Sequence, residues 1–343
     1  MQRLLGDLRH RLAGWPAACL SAGCPVLSPA LEWAEAGPAS SVGVTKVWPV
    51  PGGSLVVSSE STHADGIHAY AVAVTHLHHG ATQPGHVSLH WTSRGGWLAH
   101  AVQEGTLALT HSMSGDAEAG LRRGSARILP RDGVCGLSLR LQTAQVVSGD
   151  LTLPLPCGLL SQLAADAAAS GGCVAHRTLS LGREHSGSLL AVVRDTGEQV
   201  CVELFSDAPH PLILHWGVLD RQPAPGGKTA WLPPPPEMRG RGGGAGEVAA
   251  AQSAFHLFTA EVDDAESGAP ARATLQRCCL AFNSAAADEW AGLAFVLRSE
   301  DGSMAWQDDW GHFVLPWADD ACAVAWEASP YTNATDDDDD SID

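Results

Sequence analysis

The chain has 343 residues, enough for two domains of ordinary size, and its hydrophobic fraction of 45% can supply two cores. Its formal charge of −18 argues against a nucleic-acid partner, because phosphate contacts need a basic surface, and equally against an anionic membrane surface. No apolar run approaches the length of a membrane-spanning helix. An uncharged ligand fits this composition best.

Residues 1–40 are predicted to form an N-terminal extension and are a candidate transit segment. In the first 18 residues three arginines lie opposite four leucines, a pattern typical of organelle-targeting helices. Asp7, Glu32 and Glu35 are acids of the kind that such segments rarely contain. An ordinary N-terminal helix is therefore the alternative, and the sequence leaves both open.

Residues 41–157 are predicted to be a β-sandwich. Short apolar or alternating runs are separated by turns rich in Gly, Ser and Asp, as in sandwiches of short antiparallel strands. The strands predicted here are 54–57, 69–75, 87–91, 107–109 and 137–141.

One helix is predicted over residues 158–170, and Gly171-Gly172 provides its stop signal. We interpret residues 158–172 as a helical linker to a second β-sandwich, residues 173–318. The strands predicted in this second module are 188–193, 199–205, 212–216, 274–282 and 293–297. Residues 319–343 contain a run of five aspartates at 336–340, which predicts a solvated acidic tail.

The two predicted sandwiches share four short motifs in the same order. The matched segments are 53–57 with 187–191, 89–91 with 214–216, 136–141 with 292–297, and 153–154 with 315–316. The order is kept while the spacing varies, as happens when surface loops of a fixed strand framework accept insertions. We therefore expect a tandem duplication of an all-β module.

Tryptophans near strand ends are the main candidate binding residues. Trp216 follows Leu214-His215, Trp231 precedes four prolines, and Trp306 precedes the last predicted strand. Strand alternation allows Trp216 to lie in the core with the neighbouring leucines. Alternatively the rings emerge at a rim and stack on a flat, weakly polar ligand such as a sugar ring.

These motifs, in this order, resemble carbohydrate-binding module family 45. Members of that family occur in tandem in the N-terminal regions of plant and algal plastid α-amylases and α-glucan, water dikinases. The resemblance covers about residues 172–318 and implies binding of starch or a related α-glucan in the chloroplast stroma. It implies that Trp216 and Trp306 stack on sugar, with Trp231 at a third family position. We add His215 as a hydrogen-bond donor.

The chain departs from the family pattern at several positions. His312 stands where the family commonly has an acid, and Gln252-Ser-Ala-Phe255 replaces an expected basic segment. In the first half Trp91 keeps the Leu-His-Trp position, but Thr92 replaces the following glycine. We therefore expect the first module to bind weakly or to serve as a structural partner.

No catalytic residues are predicted. The acids nearest the tryptophans in sequence are Glu203, Asp220, Asp308 and Asp309. The enzymes that the chain resembles carry catalysis in separate domains, so we expect a stand-alone binding protein or the N-terminal region of a starch-active enzyme. The alternatives are a protein-interaction module without sugar binding and a glucan hydrolase with an unrecognised site.

Neither a cofactor nor a metal is expected. His76 and His78 share a predicted strand face, but no carboxylate or cysteine completes a ligand set. The nine cysteines are odd in number and irregularly spaced, which predicts reduced thiols rather than a disulfide framework. No cysteine pair stands out as a redox switch.

Overall fold

The structure is a computed structural model, and most of the residues that it describes are in β-strands. It describes residues 41–50, 53–64, 67–78, 86–95, 103–111, 121–129, 134–144, 147–181, 187–221, 231–234, 251–262, 271–306 and 312–316. The predicted N-terminal extension, the acidic tail, and residues 222–230 and 235–250 of a proline- and glycine-rich segment lie outside these residues. Neither helix in the described ranges is long and apolar enough to cross a membrane.

The first half of the chain supplies nine of the strands described. They are β1 (Gly43–Val50), β2 (Gly53–Ala64), β3 (Ile67–His78), β4 (Val87–Gly95), β5 (Glu104–Ala108), β6 (Thr110–His111), β7 (Leu121–Ile128), β8 (Val134–Thr143) and β9 (Leu151–Pro154). The helix α1 (Pro156–Ala169) follows, within one or two residues of its predicted position.

The second half supplies the remaining described elements. Its strands are β10 (Cys173–Ser180), β11 (Ser188–Asp195), β12 (Gln199–Ser206), β13 (Leu212–Asp220), β14 (Trp231–Leu232), β15 (Ala251–Ala254), β16 (His256–Val262), β17 (Ala271–Asn283), β18 (Trp290–Ser299), β19 (Ala305–Trp306) and β20 (Phe313–Pro316). A short helix, α2 (Ser284–Ala287), joins β17 to β18. The predicted all-β, antiparallel sandwich class is confirmed.

The strands form three antiparallel sheets. Sheet A is the largest and contains β1, β2, β3, β6, β7, β10, β11, β12, β16 and β17. Sheet B has the order β5–β4–β8–β9. Sheet C has the order β14–β13–β18–β19, with β15 against β13 and β20 against β18.

The long strand β17 joins the two halves of the chain within sheet A. Residues 271–274 of β17 pair with both β1 and β16, so these two strands lie on opposite edges of β17. Residues 276–277 pair with both β16 and β12, which are also on opposite edges. It follows that β1 and β12 lie one after the other along the same edge of β17.

The two hydrophobic cores lie on opposite faces of β17. Ala271, Ala273 and Leu275 belong to the first core, which sheet B covers. Cys278 and Leu280 belong to the second core, which sheet C covers. Because successive side chains of a strand alternate between its faces, odd and even residues of β17 serve different cores.

The same strand order occurs in each half. In the first half, β6–β7–β3–β2–β1 faces β5–β4–β8–β9. In the second half, β16–β17–β12–β11–β10 faces β15–β13–β18–β20. Register matches as well, since Leu89 pairs with Leu141 in one half and Leu214 pairs with Leu297 in the other.

The helix α1 is packed into the first core. Pro156 begins the helix, where a missing backbone N–H costs nothing, and the helix buries its residues Leu159 and Leu160 in that core. On the neighbouring strands Leu190 and Phe205 belong to the same core. The predicted linker helix therefore covers the face of β11 that is turned away from sheet C.

A buried polar network also joins the halves. The Tyr70 hydroxyl donates to Asp207 Oδ2 at 2.5 Å, and Ser61 Oγ donates to the Asp207 carbonyl at 2.6 Å. The Cys157 N–H, at the start of α1, donates to the Tyr70 oxygen at 3.3 Å. Since Tyr70 and Ser61 come from the first half and Asp207 from the second, the network fixes how the halves meet.

Candidate functional site

The structure places Trp216 inside the second core. It lies on β13, whose residues Leu212, Leu214 and Trp216 all face that core, and the ring is 2% exposed. The indole N–H donates to Ser253 Oγ at 3.1 Å, and the ring packs against Phe282 at 5.5 Å. Its polar atom is thus satisfied inside the protein, as a buried indole requires.

Trp306 occupies the same core. It lies on β19 opposite Leu297, on the inward face of sheet C, and is 5% exposed. Trp216 pairs with Phe295, two residues before Leu297 on the same strand. The two predicted platform residues therefore lie on either side of β18 and face the same core, and neither offers an open face for stacking in this conformation.

The other two predicted tryptophans differ from this pair. The backbone of Trp231 pairs with Leu219 in sheet C, and its side chain lies outside the part of the chain that the structure describes. Trp91 is half-buried on β4 and packs against the first core. Gly105 makes room for its ring, since a Cβ on Gly105 would lie 2.8 Å from the indole nitrogen.

Of the predicted site residues with a described side chain, His215 is the one that faces outward. It alternates with the core residues of β13, so it lies on the outer face of sheet C between Gln252 on β15 and Val296 on β18. Arg298 lies two residues after Val296 on β18, and both Arg298 and Gln252 are exposed. We call His215, Gln252, Val296 and Arg298 the His215 face.

His215 is available to a ligand as a neutral donor and acceptor. Partial burial lowers the pKa of His215 below its ordinary value, and the Arg298 cation lowers it further. Within the described residues no hydrogen bond engages either ring nitrogen. At neutral pH the ring therefore carries one N–H donor and one nitrogen acceptor.

The equivalent position in the first half is His90, on the outer face of sheet B. There the ring is already hydrogen-bonded, to Gln142 Oε1 through Nε2 at 2.9 Å and to Thr106 Oγ1 through Nδ1 at 2.8 Å. Arg140 lies beside it and forms a salt bridge with Asp150 at 2.7 Å. We call these five residues the His90 face.

Glu203, one of the acids near Trp216 in sequence, does not face the core that contains Trp216. It lies opposite Val192 on the first-core side of β12, whereas Trp216 lies in the second core. Its side chain is 0% exposed and accepts from Arg277 Nη2 at 2.6 Å. Burial raises the pKa of Glu203 to about 7, although the Arg277 cation opposes this shift.

A Ser–His pair at the junction of the halves superficially resembles a nucleophile and its base. Ser61 Oγ lies 2.7 Å from His68 Nε2, but the hydroxyl proton is donated to the Asp207 carbonyl. A hydroxyl has one proton, so His68 Nε2 must be the donor. This is the reverse of base activation, and both side chains are buried.

The other residues weighed from the sequence are histidines, cysteines and two aspartates. His76 and His78 share a strand face, with ring centroids 6.3 Å apart. Among the residues described, no group of three potential ligands is placed to hold a metal ion. The cysteines that the structure describes are free thiols, at positions 135, 157, 173, 201, 278 and 279. Asp308 and Asp309 lie outside the residues that the structure describes.

Gln252, Arg298 and the polar partners of His90 were not singled out from the sequence as contact residues. They come from strands distant in sequence from the histidines, and only the pairing register brings them together. The recurring Leu-His motif was the available signal. Comparisons of the chain with models of known protein families and with curated proteins found no match.

Proposed function

We propose that the chain is a non-catalytic α-glucan-binding protein built from two related sandwich modules, with the His215 face as its principal contact surface. The observation that carries this proposal is the outward position of His215 within the segment that resembles starch-binding modules. The resemblance would place the protein in the plastid stroma, alone, joined to a starch-active catalytic domain or beside a partner enzyme.

The strand pairing supports a tandem relationship between the modules. The sequence matches at 89–91 with 214–216 and at 136–141 with 292–297 fall at equivalent positions of the pairing. The Gly136–Pro154 pair likewise corresponds to the Gly292–Pro316 pair. Shared order and shared register are what a duplicated framework with variable loops would produce.

The chemistry of the His215 face suits sugar hydroxyls. The imidazole and the Gln252 amide each offer a donor and an acceptor, and the Arg298 guanidinium adds further donors. The Val296 side chain provides an apolar contact for the C–H face of a sugar ring. A few exposed hydrogen bonds of about 1 kcal/mol each would give millimolar affinity, which suffices on a repeating polymer.

The position of Glu203 argues against a hydrolase in which this acid is catalytic. Glycoside cleavage needs two carboxyl groups on either side of the scissile bond. Glu203 is sealed on the opposite side of β12 and bonded to Arg277. It cannot form a catalytic pair with an acid near the His215 face.

Sedimentation of the full chain with starch granules tests the proposal. The parent should co-sediment, soluble maltoheptaose should compete, and a His215→Ala, Gln252→Ala double variant should lose at least fivefold in retention. Val47→Thr is the matched control, because Val47 is an exposed strand residue on sheet A, away from the His215 face. Equal retention of the double variant and the parent would rule out this surface.

A second candidate function is protein interaction without sugar binding. The burial of Trp216 and Trp306 favours it, because stacking rings are then unavailable. Calorimetric titration with maltoheptaose separates the candidates, whereas tryptophan fluorescence would not, since buried rings report poorly on a surface ligand. Absence of both heat and granule retention would favour the protein-interaction function.

A further inference from the structure

The His90 face and the His215 face look away from each other across sheet A. Sheet B covers the first core and sheet C covers the second, and these cores lie on opposite faces of β17. The change of core takes place between Leu275 and Cys278, within a few residues. The twist of a strand over so short a distance is far less than the half-turn that would bring the two cores to one side.

The His90 face has its own capacity to bind an uncharged polyhydroxylated ligand. Hydrogen bonds to Thr106 and Gln142 hold the His90 ring in place, and the Gln142 amide N–H groups and the Thr106 oxygen can still contact a ligand. The salt bridge to Asp150 balances the charge of Arg140, and the two side chains are 55% and 61% exposed. The face is therefore polar, accessible and close to neutral, on a chain of formal charge −18.

We infer that the His90 face is a second α-glucan contact surface and that one protein molecule bridges two separate glucan chains. This inference rests on the proposed function of the His215 face. Equivalent register places the two histidines on the outer faces of sheets B and C, and both faces present uncharged donors and acceptors, so we assign the same kind of ligand to both.

Bridging is a consequence of the opposed orientation. Two linked sites strengthen binding to one surface only when both can engage it at the same time. Here the shared strand and the buried Tyr70–Asp207 network hold the faces at a fixed, diverging orientation. A molecule bound to one flat glucan surface through the His215 face keeps its His90 face directed toward solution.

A capture experiment with the full chain tests this. Protein is bound to beads carrying covalently attached maltoheptaose, washed, and then exposed to a fluorescein-labelled soluble amylopectin. The parent should recruit labelled glucan to the beads in proportion to bound protein. Thr106→Ala with Gln142→Ala, and His215→Ala with Gln252→Ala, should each lower recruitment per bound molecule at least tenfold. Val47→Thr should behave like the parent, since it lies on neither face.

The outcomes separate this inference from the function on which it rests. Retention of the parent on the beads without recruitment of labelled glucan overturns bridging and leaves glucan binding standing. Failure of the parent to bind the beads overturns both. Recruitment that the Thr106→Ala, Gln142→Ala variant keeps in full overturns the assignment to the His90 face, and urea unfolding of each variant verifies that it is folded.

Discussion

The two Leu-His-Trp segments occupy the same place in the pairing register but have different surroundings. In the second half Trp216 is fully enclosed, bonded to Ser253 and packed on Phe282. In the first half Trp91 is half-buried over Gly105, in a position where the second half has Ala251. The histidines differ in the opposite sense, because His90 is hydrogen-bonded on both nitrogens and His215 is open.

This difference shows how one framework can divide its roles. Strand alternation decides which way each residue points, and the alternation is the same in both halves. The neighbouring strands decide how deeply a tryptophan is buried and whether a histidine is already satisfied. The second half thus combines an enclosed tryptophan with an available surface histidine, and the first half combines a half-buried tryptophan with a histidine that is already hydrogen-bonded.

Truncation of the two tryptophans should give the largest difference between the halves. Trp216→Ala is expected to lower the free energy of unfolding by about 3–5 kcal/mol, because it opens a cavity and leaves Ser253 without its partner. Trp91→Ala should cost about 1–2 kcal/mol, since its ring is only half-buried. Urea unfolding measures both, and an equal or larger effect for Trp91→Ala would contradict the comparison.

The junction between the halves should be the next most sensitive place. Tyr70→Phe removes the hydroxyl that donates to Asp207, leaving a buried carboxylate oxygen without that partner. Burial and the Asp207 charge raise the pKa of Tyr70 well above its ordinary value, so the phenol stays a donor at all working pH values. We expect a loss of about 2–3 kcal/mol, with both halves unfolding together. Separate unfolding transitions in the parent would show that the junction does not couple them.

The buried Glu203 should make the free energy of unfolding depend on pH. The pKa of Glu203 is about 7 in the folded chain and near 4.5 in the unfolded chain, so the folded chain holds the proton more tightly. Stability from this group is therefore present below about pH 4.5 and is lost as the pH rises toward about 7, by roughly 1–3 kcal/mol. The free energy of unfolding, measured in urea at pH 5 and pH 7.5, should have a smaller slope against pH in Glu203→Gln than in the parent. An unchanged slope would show that Arg277 keeps the carboxylate ionised throughout.

The matched histidines should give the smallest effects on stability. His90→Ala is expected to cost about 0.5–1 kcal/mol, because Thr106 and Gln142 each lose a hydrogen bond at a solvent-accessible site. His215→Ala should be close to neutral for stability while it weakens glucan retention. Urea unfolding and granule sedimentation of both variants test this. A larger loss of stability for His215→Ala than for His90→Ala would contradict the assignment of His90 as hydrogen-bonded and of His215 as open.

Apolar alternation predicted most of the central strands and the helix α1 from the sequence. It missed β7, whose sequence LRRGSARI contains three arginines and a glycine. That strand forms because it pairs with β3 along eight positions and buries Ile128, which is tertiary information. Strands β10 and β16 were missed as well, and so was β1, although its buried residues Val44, Trp48 and Val50 alternate with exposed ones.

The candidate site was only partly accessible to sequence reasoning. Alternation correctly grouped Trp216 with Leu212 and Leu214, but whether that face is sealed depends on β15, β17 and β18. Gln252 stood out in the sequence only as a departure from the expected family pattern. Gln252 is 37 residues after its partner His215, and no local pattern encodes such a register.

The edge shared by β1 and β12 on β17 has a consequence for synthesis of the chain. Gly43 pairs with Thr274, so the outer edge of β1 stays unpaired until the ribosome has made most of the protein. Domains that emerge first usually fold first, and an open strand edge is a site for pairing with other chains. During translation the nascent first half would therefore expose an unpaired strand edge to other chains. A chaperone, or rapid completion of the second half, would have to shield that edge.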